Sequence, residues 1–349
     1  MGRPRNPITD PTLKEWLETN FPNKSTKKTY LSALRLFKQN LNIKDLGKYL
    51  KEGPDADNDI KRYLSSLNER PSKTVSSYTA AVKAFFLDHD IELKKNTWKK
   101  LRRRGFLPKR ITAQTRDKKP SKGQLKRIIN YSSIRGRALF LFLASSGCRV
   151  GETLKLKIAD LDLEADPPQA FIRGETTKSG VGERTVFFSY EAKDAIKDWL
   201  AIKDKTGKRD GKGTYESPLI FPFSYPTASM MLYGALDKAG LAQRDHRTGR
   251  RVYHIHSLRK FFRTQIGLDL DTTNALMGHS QYLDSAYLRQ EHNDIANAYL
   301  ENMGNVSIYA VESPDLVQEN EELKDRILRT ESKLAQIEKL LIGLVNGKG

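Results

Sequence analysis

A basic segment broken by proline, at residues 93–122, places the strongest constraint on the fold of this chain. It contains 13 Lys and Arg residues against a single acid. Gly105, Pro108 and Pro120 interrupt it, and because proline removes a helix hydrogen bond, one continuous helix across it is not expected. We predict instead a helix end followed by an extended basic linker at residues 106–120, with a domain on either side.

The charge of the chain indicates an acidic partner. The formal net charge is +19, and residues 1–120 hold 28 Lys and Arg against 13 Asp and Glu. Cys148 is the single cysteine, which excludes an intramolecular disulfide. The first residues lack the apolar core of a signal peptide, and no apolar run approaches the ~20 residues of a membrane span. We therefore expect a soluble, intracellular protein that binds nucleic acid and no membrane.

Helical periodicity dominates the first 105 residues, and Ser25 is a candidate N-cap. The predicted helices are Thr12–Asn20, Ser25–Asn40, Asp57–Leu67 and Ser72–Leu87. We expect a helical DNA-clamping domain at residues 1–105, whose aromatic residues form its core. The candidate DNA-binding residues are Lys99, Lys100, Arg102, Arg103, Arg104, Lys109 and Arg110. A solvated flexible hinge and a nuclear localisation signal are the alternative interpretations of this basic run.

The region at residues 121–310 has a different pattern. Two short segments rich in β-branched and aromatic residues, Gln169–Ile172 and Arg184–Phe188, flank a polar turn with glycine and predict a β-hairpin. Helical patterns surround them on both sides, and the apolar run at Ala138–Ala144 predicts a buried helix. The predicted fold class is therefore mostly α, with a mainly α second domain that contains one small sheet.

The tail at residues 311–349 predicts a coiled-coil-like helix for self-association. Ser313 and Pro314 form a typical helix start. Apolar residues then follow a heptad pattern for about four heptads. A terminal helix packed on its own domain is the alternative.

Four local strings carry residues suited to phosphate chemistry. Arg149 and Glu152 lie three residues apart, and so do His256 and Arg259. Lys178 lies in the hairpin turn, and the string LMGHSQYLDSAYLR contains His279 and Tyr287. Each residue alone has an ordinary interpretation: an internal ion pair, a turn lysine, a core histidine or a half-buried tyrosine.

Together and in this order, the strings resemble the catalytic domain of the tyrosine recombinase (phage integrase) family. The family pattern is T/S-G-x-R-x-x-E, a hairpin lysine, H-x-L-R, L-G-H-S and a tyrosine, and residues 121–300 carry all five. The helical, basic N-terminal region is similar in character to the family's core-binding domain. The spacing from His279 to Tyr287 is one residue shorter than the commonest one, and some archaeal integrases have a similar ending.

The resemblance implies a site-specific recombinase that joins Tyr287 covalently to a 3′ phosphate, without metal or ATP. Arg149 and Arg259 would clamp the scissile phosphate, with Glu152 as a supporting residue. Lys178 would protonate the leaving 5′ oxygen. His256 and His279 would bond the phosphate and assist proton movement. No cofactor is expected. The implied partners are double-stranded DNA of the cytoplasmic nucleoid and other copies of this chain, which would form a homo-oligomer, a tetramer on DNA.

Three alternatives stay open at this stage. A type IB topoisomerase would use the same chemistry, and a DNA-binding protein could keep the domain without catalysis. The carboxylates of Asp160, Asp162, Glu164 and Asp166 would suit a two-metal nuclease, although we favour a polar loop after the Arg149 helix.

Overall fold

The helices of this chain pack into two separate units, Met1–Arg116 and Asp117–Gly349. The computed structural model describes residues 8–108, 118–177, 180, 182–203, 217–246, 248–279, 292–309 and 330. The mostly α-helical fold with one small sheet is confirmed. The heptad tail, apart from Thr330, and residues 109–117 of the linker lie outside the described residues. None of the described helices is long and apolar enough to cross a membrane.

The first unit is helical throughout its regular elements. Its helices within residues 8–108 are α1 Pro11–Asn20, α2 Lys24–Leu41, α3 Leu46–Lys51, α4 Ala56–Ser65, α5 Ser72–Leu87 and α6 Lys95–Arg103. The prediction of Ser25 as an N-cap is wrong. Asn23 caps α2, because its side-chain oxygen accepts from the backbone N–H groups of Ser25, at 2.8 Å, and Thr26.

Aromatic rings form the centre of the first unit. Phe37 meets Tyr63 and Phe86 edge to face, with ring centroids 5.3 and 5.6 Å apart. Trp16 packs edge-on against Phe85 at 5.1 Å. These rings are buried, so they stabilise the helix packing and are not presented to a ligand.

The second unit places helices around a small sheet. Its helices within the described residues are α7 Lys122–Asn130, α8 Ile134–Ser146, α9 Val150–Thr153, α10 Tyr190–Lys203, α11 Tyr225–Lys238, α12 His256–Gln265, α13 Leu270–Leu276 and α14 His292–Val306. The strands are β1 Leu161–Asp162, β2 Gln169–Ile172 and β3 Arg184–Phe187.

Helix α8 is the centre of the second unit. Its residues 138–146 are all buried, and α7, α10, α11, α12, α14 and β3 pack around it. A helix that is apolar on every side has to lie in the core. Because its position is set from all directions, the backbone that leaves its C-terminus is also held firmly.

The three strands form one antiparallel sheet in the order β1-β2-β3. Ala170 lies opposite Val186, and Ile172 lies opposite Arg184. The hairpin predicted from the sequence is therefore present, with β1 as an additional short edge strand. Since side chains alternate along a strand, Arg184 shares the buried face with Val186.

Candidate active site

The end of helix α8 brings Arg149 to the site. Gly147 closes the helix at φ +65°, a left-handed conformation that favours glycine. A Cβ at Gly147 would lie 2.2 Å from the Phe262 ring on α12, so a side chain is excluded here on packing grounds too. Arg149, two residues later, is the N-cap residue of α9.

Glu152 holds two arginines at once. Its Oε1 accepts from Arg149 Nη1 at 2.8 Å, and its Oε2 accepts from Arg184 Nη2 at 2.7 Å. The Glu152 side chain is 2% exposed. Burial would raise the pKa of Glu152, but the Arg184 and Arg149 guanidinium groups outweigh it and hold that pKa below its usual value. The carboxylate therefore stays ionised at neutral pH.

Arg259, on α12, lies deep in the same site. Its Nη1 donates to the Gly147 carbonyl at 2.5 Å, and its Nη2 donates to the Met277 carbonyl at 2.7 Å. Burial, together with the nearby Arg149 cation, lowers the pKa of Arg259 to about 10. That value keeps the guanidinium charged at neutral pH.

A single turn gathers all three of these arginines. The carbonyl oxygens of Leu276, Met277 and Gly278 accept, in that order, from Arg184, Arg259 and Arg149, at 2.8, 2.7 and 3.0 Å. We call Arg149, Arg184 and Arg259 the arginine cluster. Among the described residues, these three cations share the one carboxylate of Glu152, so the cluster carries an excess of positive charge.

His279 follows this turn directly. Its Nδ1 lies 2.9 Å from Asn274 Oδ1, and its Nε2 lies 3.3 Å from Arg259 Nη2. An amide oxygen only accepts and a guanidinium only donates, so the two contacts specify the neutral ring with its proton on Nδ1. Burial and the cations Arg259 and Arg149 lower the pKa of His279, which agrees with a neutral ring.

His256 begins helix α12, one turn before Arg259. It is exposed, whereas Arg259 is buried. Its ring is inclined by 25° to that of His254, with centroids 6.3 Å apart. The structure thus pairs Arg149 with Glu152 and Arg259 with His279, and it brings the two pairs together at the turn of Met277 and Gly278. His256 lies on the accessible side of α12, three residues before Arg259.

Lys178 and Tyr287 lie outside the described residues, and so does Tyr282. Tyr299, further along the chain, is described: it is fully buried and its hydroxyl donates to the Ser145 carbonyl at 2.9 Å. Burial raises the pKa of the Tyr299 hydroxyl well above its usual value. A sealed, hydrogen-bonded phenol is unsuited to attack a substrate.

The carboxylates of the loop at residues 160–166 each have a separate partner. Asp160 pairs with Arg173, and Glu164 pairs with Lys197. Asp162 accepts from the backbone N–H of Ala165 at 2.9 Å, and Asp166 accepts from the Tyr190 hydroxyl. Across the described ranges, no three His, Cys, Asp or Glu side chains are grouped so that they could hold a metal ion. These contacts are those of a polar loop.

Helix α6 of the first unit carries a row of exposed cations. Lys99, Lys100, Arg102 and Arg103 are exposed on the helix, and Arg104 is exposed at its C-cap. Leu101 alone is buried and anchors the helix to its unit. Within residues 8–108, no carboxylate forms an ion pair with any of the five cations. Lys109 and Arg110 lie outside the described residues.

Sequence reasoning missed Arg184 and Asn274. Arg184 had a detectable signal, because alternation along the strand puts it on the same face as Val186 and Phe188, which are apolar. A charged residue on a buried face needs a charged partner, because an unpaired buried charge is costly. Asn274 had no such signal, since its role depends on how the turn after α13 folds back.

Comparison with known proteins identifies the second unit. The model of the phage integrase family matches residues 121–288. A tyrosine recombinase XerC from Lactobacillus leichmannii is 28% identical over 166 residues, 45% of this chain and 52% of that protein. A tyrosine recombinase XerC from Halalkalibacterium halodurans is 31% identical over 155 residues, 42% of this chain and 46% of that protein. The chain thus spans about half the length of the curated relatives it matches.

A solved structure supports the fold. The Tn1549 transposon integrase in complex with transposon right end DNA has a TM-score of 0.52 and 16% identity, covering 83% of this chain and 97% of that one. At this identity the likeness concerns the fold alone. Residues 121–288 therefore match the phage integrase family, and the curated relatives of this region are tyrosine recombinases.

Proposed function

We propose that this chain is a site-specific recombinase or integrase that breaks and rejoins double-stranded DNA through a covalent 3′-phosphotyrosyl intermediate. The observation that carries the proposal is the arginine cluster on the turn at residues 276–278, inside the family domain. Its excess of fixed positive charge suits a phosphodiester, whose transition state carries more negative charge than its ground state.

Arg149 and Arg259 are the proposed phosphate ligands. The Arg149 side chain is 33% exposed, so it can meet an incoming phosphate while Glu152 holds its other edge. Arg259 is buried behind the turn, where its charge is poorly screened and acts strongly at short range. Both guanidinium groups are held before DNA arrives, so little reorganisation is needed during the reaction.

Tyr287 is the proposed nucleophile and Lys178 the proposed general acid. The Tyr287 oxygen forms a bond to phosphorus, the bond from phosphorus to the 5′ oxygen breaks, and Lys178 gives that oxygen a proton. His256 hydrogen-bonds the phosphate. His279 Nε2, which carries a lone pair, takes up the phenol proton and can then donate to the phosphate. The new phosphodiester keeps the energy of the old one, so rejoining needs no ATP.

The first unit is the proposed DNA clamp. Its exposed cations Lys99, Lys100, Arg102, Arg103 and Arg104, with Lys109 and Arg110 in the linker, would neutralise backbone phosphates. We assign residues 1–105 to this clamp, 106–120 to the linker and 121–310 to catalysis. The proposed assembly is a homo-oligomer, a tetramer on DNA, joined through residues 311–349, and its place is the cytoplasmic nucleoid.

Substitution of Tyr287 tests the proposal. Nicked duplexes that tile the DNA on both sides of the gene would be incubated with wild type and with Tyr287→Phe, and covalent adducts would be separated on a denaturing gel. Wild type should form an adduct, whereas Tyr287→Phe should bind DNA equally and form none, because the attacking oxygen is removed.

Two other tyrosines are matched controls for this test. Tyr282→Phe and Tyr299→Phe should both retain the adduct, the second because its hydroxyl is sealed against Ser145. An adduct that persists in Tyr287→Phe would assign the nucleophile elsewhere. Adduct yield should also be unchanged in excess EDTA, and loss on chelation would favour a metal-dependent reaction instead.

A further inference from the structure

Arg184 is the member of the arginine cluster that is not a proposed phosphate ligand. We propose that Arg184 is a positioning residue, which sets the orientation of Arg149 through Glu152. This inference rests on the proposed strand cleavage, because Arg149 is one of the proposed phosphate ligands. We assign Arg184 no phosphate contact, since its Nε and Nη2 already donate to the Leu276 carbonyl and to Glu152.

Each carboxylate oxygen of Glu152 binds a different arginine. Oε2 binds Arg184 Nη2 at 2.7 Å, and Oε1 binds Arg149 Nη1 at 2.8 Å. The carboxylate plane is therefore fixed at both ends. Without Arg184 the carboxylate could rotate with Arg149, and the free edge of Arg149 would lose its direction toward the phosphate.

The same turn that binds Arg149 also fixes Arg184. Arg184 Nε donates to the Leu276 carbonyl at 2.8 Å, and Arg149 Nη2 donates to the Gly278 carbonyl at 3.0 Å. Gly278 has φ +69°, and a Cβ there would lie 2.6 Å from Arg184 Cζ. The turn thus comes close enough to pack on the Arg184 guanidinium because residue 278 has no side chain.

Arg184 is not explained by packing alone. Its Nη1 is buried and has no hydrogen-bond partner among the described residues. An unsatisfied guanidinium donor is costly in the interior, and an apolar residue in this strand would avoid that cost. The buried cation therefore indicates an electrostatic role toward Glu152.

Removal of Arg184 has a specific consequence for Glu152. The charged and titratable groups near that carboxylate are Arg149 and Arg184, which bond it, and Arg259 and Cys148. Burial alone raises the pKa of Glu152, and Arg184 is the main cause that lowers it. Without Arg184 the pKa of Glu152 rises, and a protonated Glu152 loses its charge attraction to Arg149.

The test follows the rate of adduct formation with pH, from pH 5 to pH 8, on the nicked duplexes described above. We expect Arg184→Met to bind DNA as wild type does and to be about tenfold slower at pH 8. The ratio of its rate to that of wild type should fall further as pH decreases, by up to about tenfold per pH unit below the new pKa. Arg184→Lys keeps the charge, so its ratio should stay flat.

The double variant Arg184→Met with Glu152→Gln identifies the titrating group. It has no carboxylate at residue 152, so its ratio should not change with pH. A flat ratio in Arg184→Met, or a pH dependence that survives in the double variant, would overturn the inference. Absence of an adduct from wild type would instead overturn the proposed function, so the two failures are distinguishable.

A second measurement needs no Arg184 variant, in case that variant does not fold. Carboxyl ¹³C NMR of the wild-type chain, assigned by the signal lost in Glu152→Gln, follows the titration of Glu152. A pKa below the ordinary glutamate value supports the ion pair with Arg184, and an ordinary or raised pKa overturns the inference.

Discussion

At the scale of single residues, His279 is the group whose state the structure specifies most fully. Asn274 Oδ1 lies 2.9 Å from Nδ1, and Arg259 Nη2 lies 3.3 Å from Nε2. The first contact requires a proton on Nδ1 and the second requires a lone pair on Nε2. His279 is therefore set as a neutral acceptor at Nε2 before substrate binds.

We expect Asn274→Asp to change that state in a known direction. A carboxylate beside Nδ1–H favours the imidazolium, so the pKa of His279 should rise from its lowered value. Imidazole ¹⁵N NMR across a pH titration measures both the tautomer and the pKa. Asn305→Asp is a matched control, because Asn305 bonds Ile266 and Asn302 instead. An unchanged His279 titration in Asn274→Asp would show that the contact is too weak to matter.

The sequence predicts some residues of the site and not others, for a physical reason. The spacing of Arg149 and Glu152 places them on one helical turn, and the structure has them paired at 2.8 Å. The contacts of Arg259 with Gly147 and Met277 join positions 112 and 18 residues apart in the chain. Such contacts depend on how helices pack, which local patterns do not determine.

At the scale of elements, the junction between α8 and α12 positions the site. Gly147 adopts φ +65°, and Phe262 of α12 fills the space where a Cβ would lie. The Gly147 carbonyl also accepts from Arg259. One glycine therefore allows both the approach of the two helices and the anchoring of a guanidinium.

Gly147→Ala should be distinctly more destabilising than a glycine substitution in open space. Gly249 has the same φ of +65° and no atom within 4 Å of its Cβ position, so Gly249→Ala carries the backbone cost alone, about 1 kcal/mol. Gly147→Ala adds the clash with Phe262, about 2 kcal/mol more. Urea unfolding of both variants measures the difference. Equal free energies of unfolding would mean that the Phe262 ring moves aside without cost.

Regular elements were more predictable than their ends. The pattern of β2 and β3 predicts the hairpin, and the structure has strands Gln169–Ile172 and Arg184–Phe187. The apolar run at Ala138–Ala144 predicts a buried helix, which is the centre of α8. The start of α2 was misplaced, because Asn23 competes with Ser25 as a cap and both residues suit that position.

Helix α6 carries the prediction on DNA affinity. Replacement of Arg102, Arg103 and Arg104 by Gln should weaken binding to all duplexes alike. It should also reduce the slope of log Kd against log salt concentration by about 2 to 3, since three phosphate contacts are lost. The control variant replaces Lys48, Arg62 and Lys94 by Gln. These three cations belong to the same unit and pair with carboxylates. Titration of labelled duplex at several salt concentrations measures both variants. An equal loss of affinity in both variants would mean that binding depends on net charge and not on the position of the cations on α6.

At the scale of the whole molecule, the proposed chemistry and the predicted self-association belong to different segments. The family domain ends at residue 288, and the heptad pattern begins after Ser313. Between them, Tyr299 of α14 is fully buried and bonds the carbonyl of Ser145 on α8. The chain is thus anchored to the core of the second unit before the heptads start, so the tail can be removed without opening that core.

A chain that ends at Ser313 should keep its fold and lose self-association. The tail contributes a heptad seam of Leu316, Leu323, Ile327, Leu334 and Leu341, and burial of such a seam against other copies is what would hold an oligomer together. Sedimentation velocity should give a larger species for the full chain and a monomer for the shortened one, with equal circular dichroism per helical residue.

A double variant, Leu334→Lys with Leu341→Lys, keeps the length of the chain and should also lose self-association. If the shortened chain sediments as the full one does after correction for mass, the tail packs on its own domain, and any oligomer must form through the two units themselves.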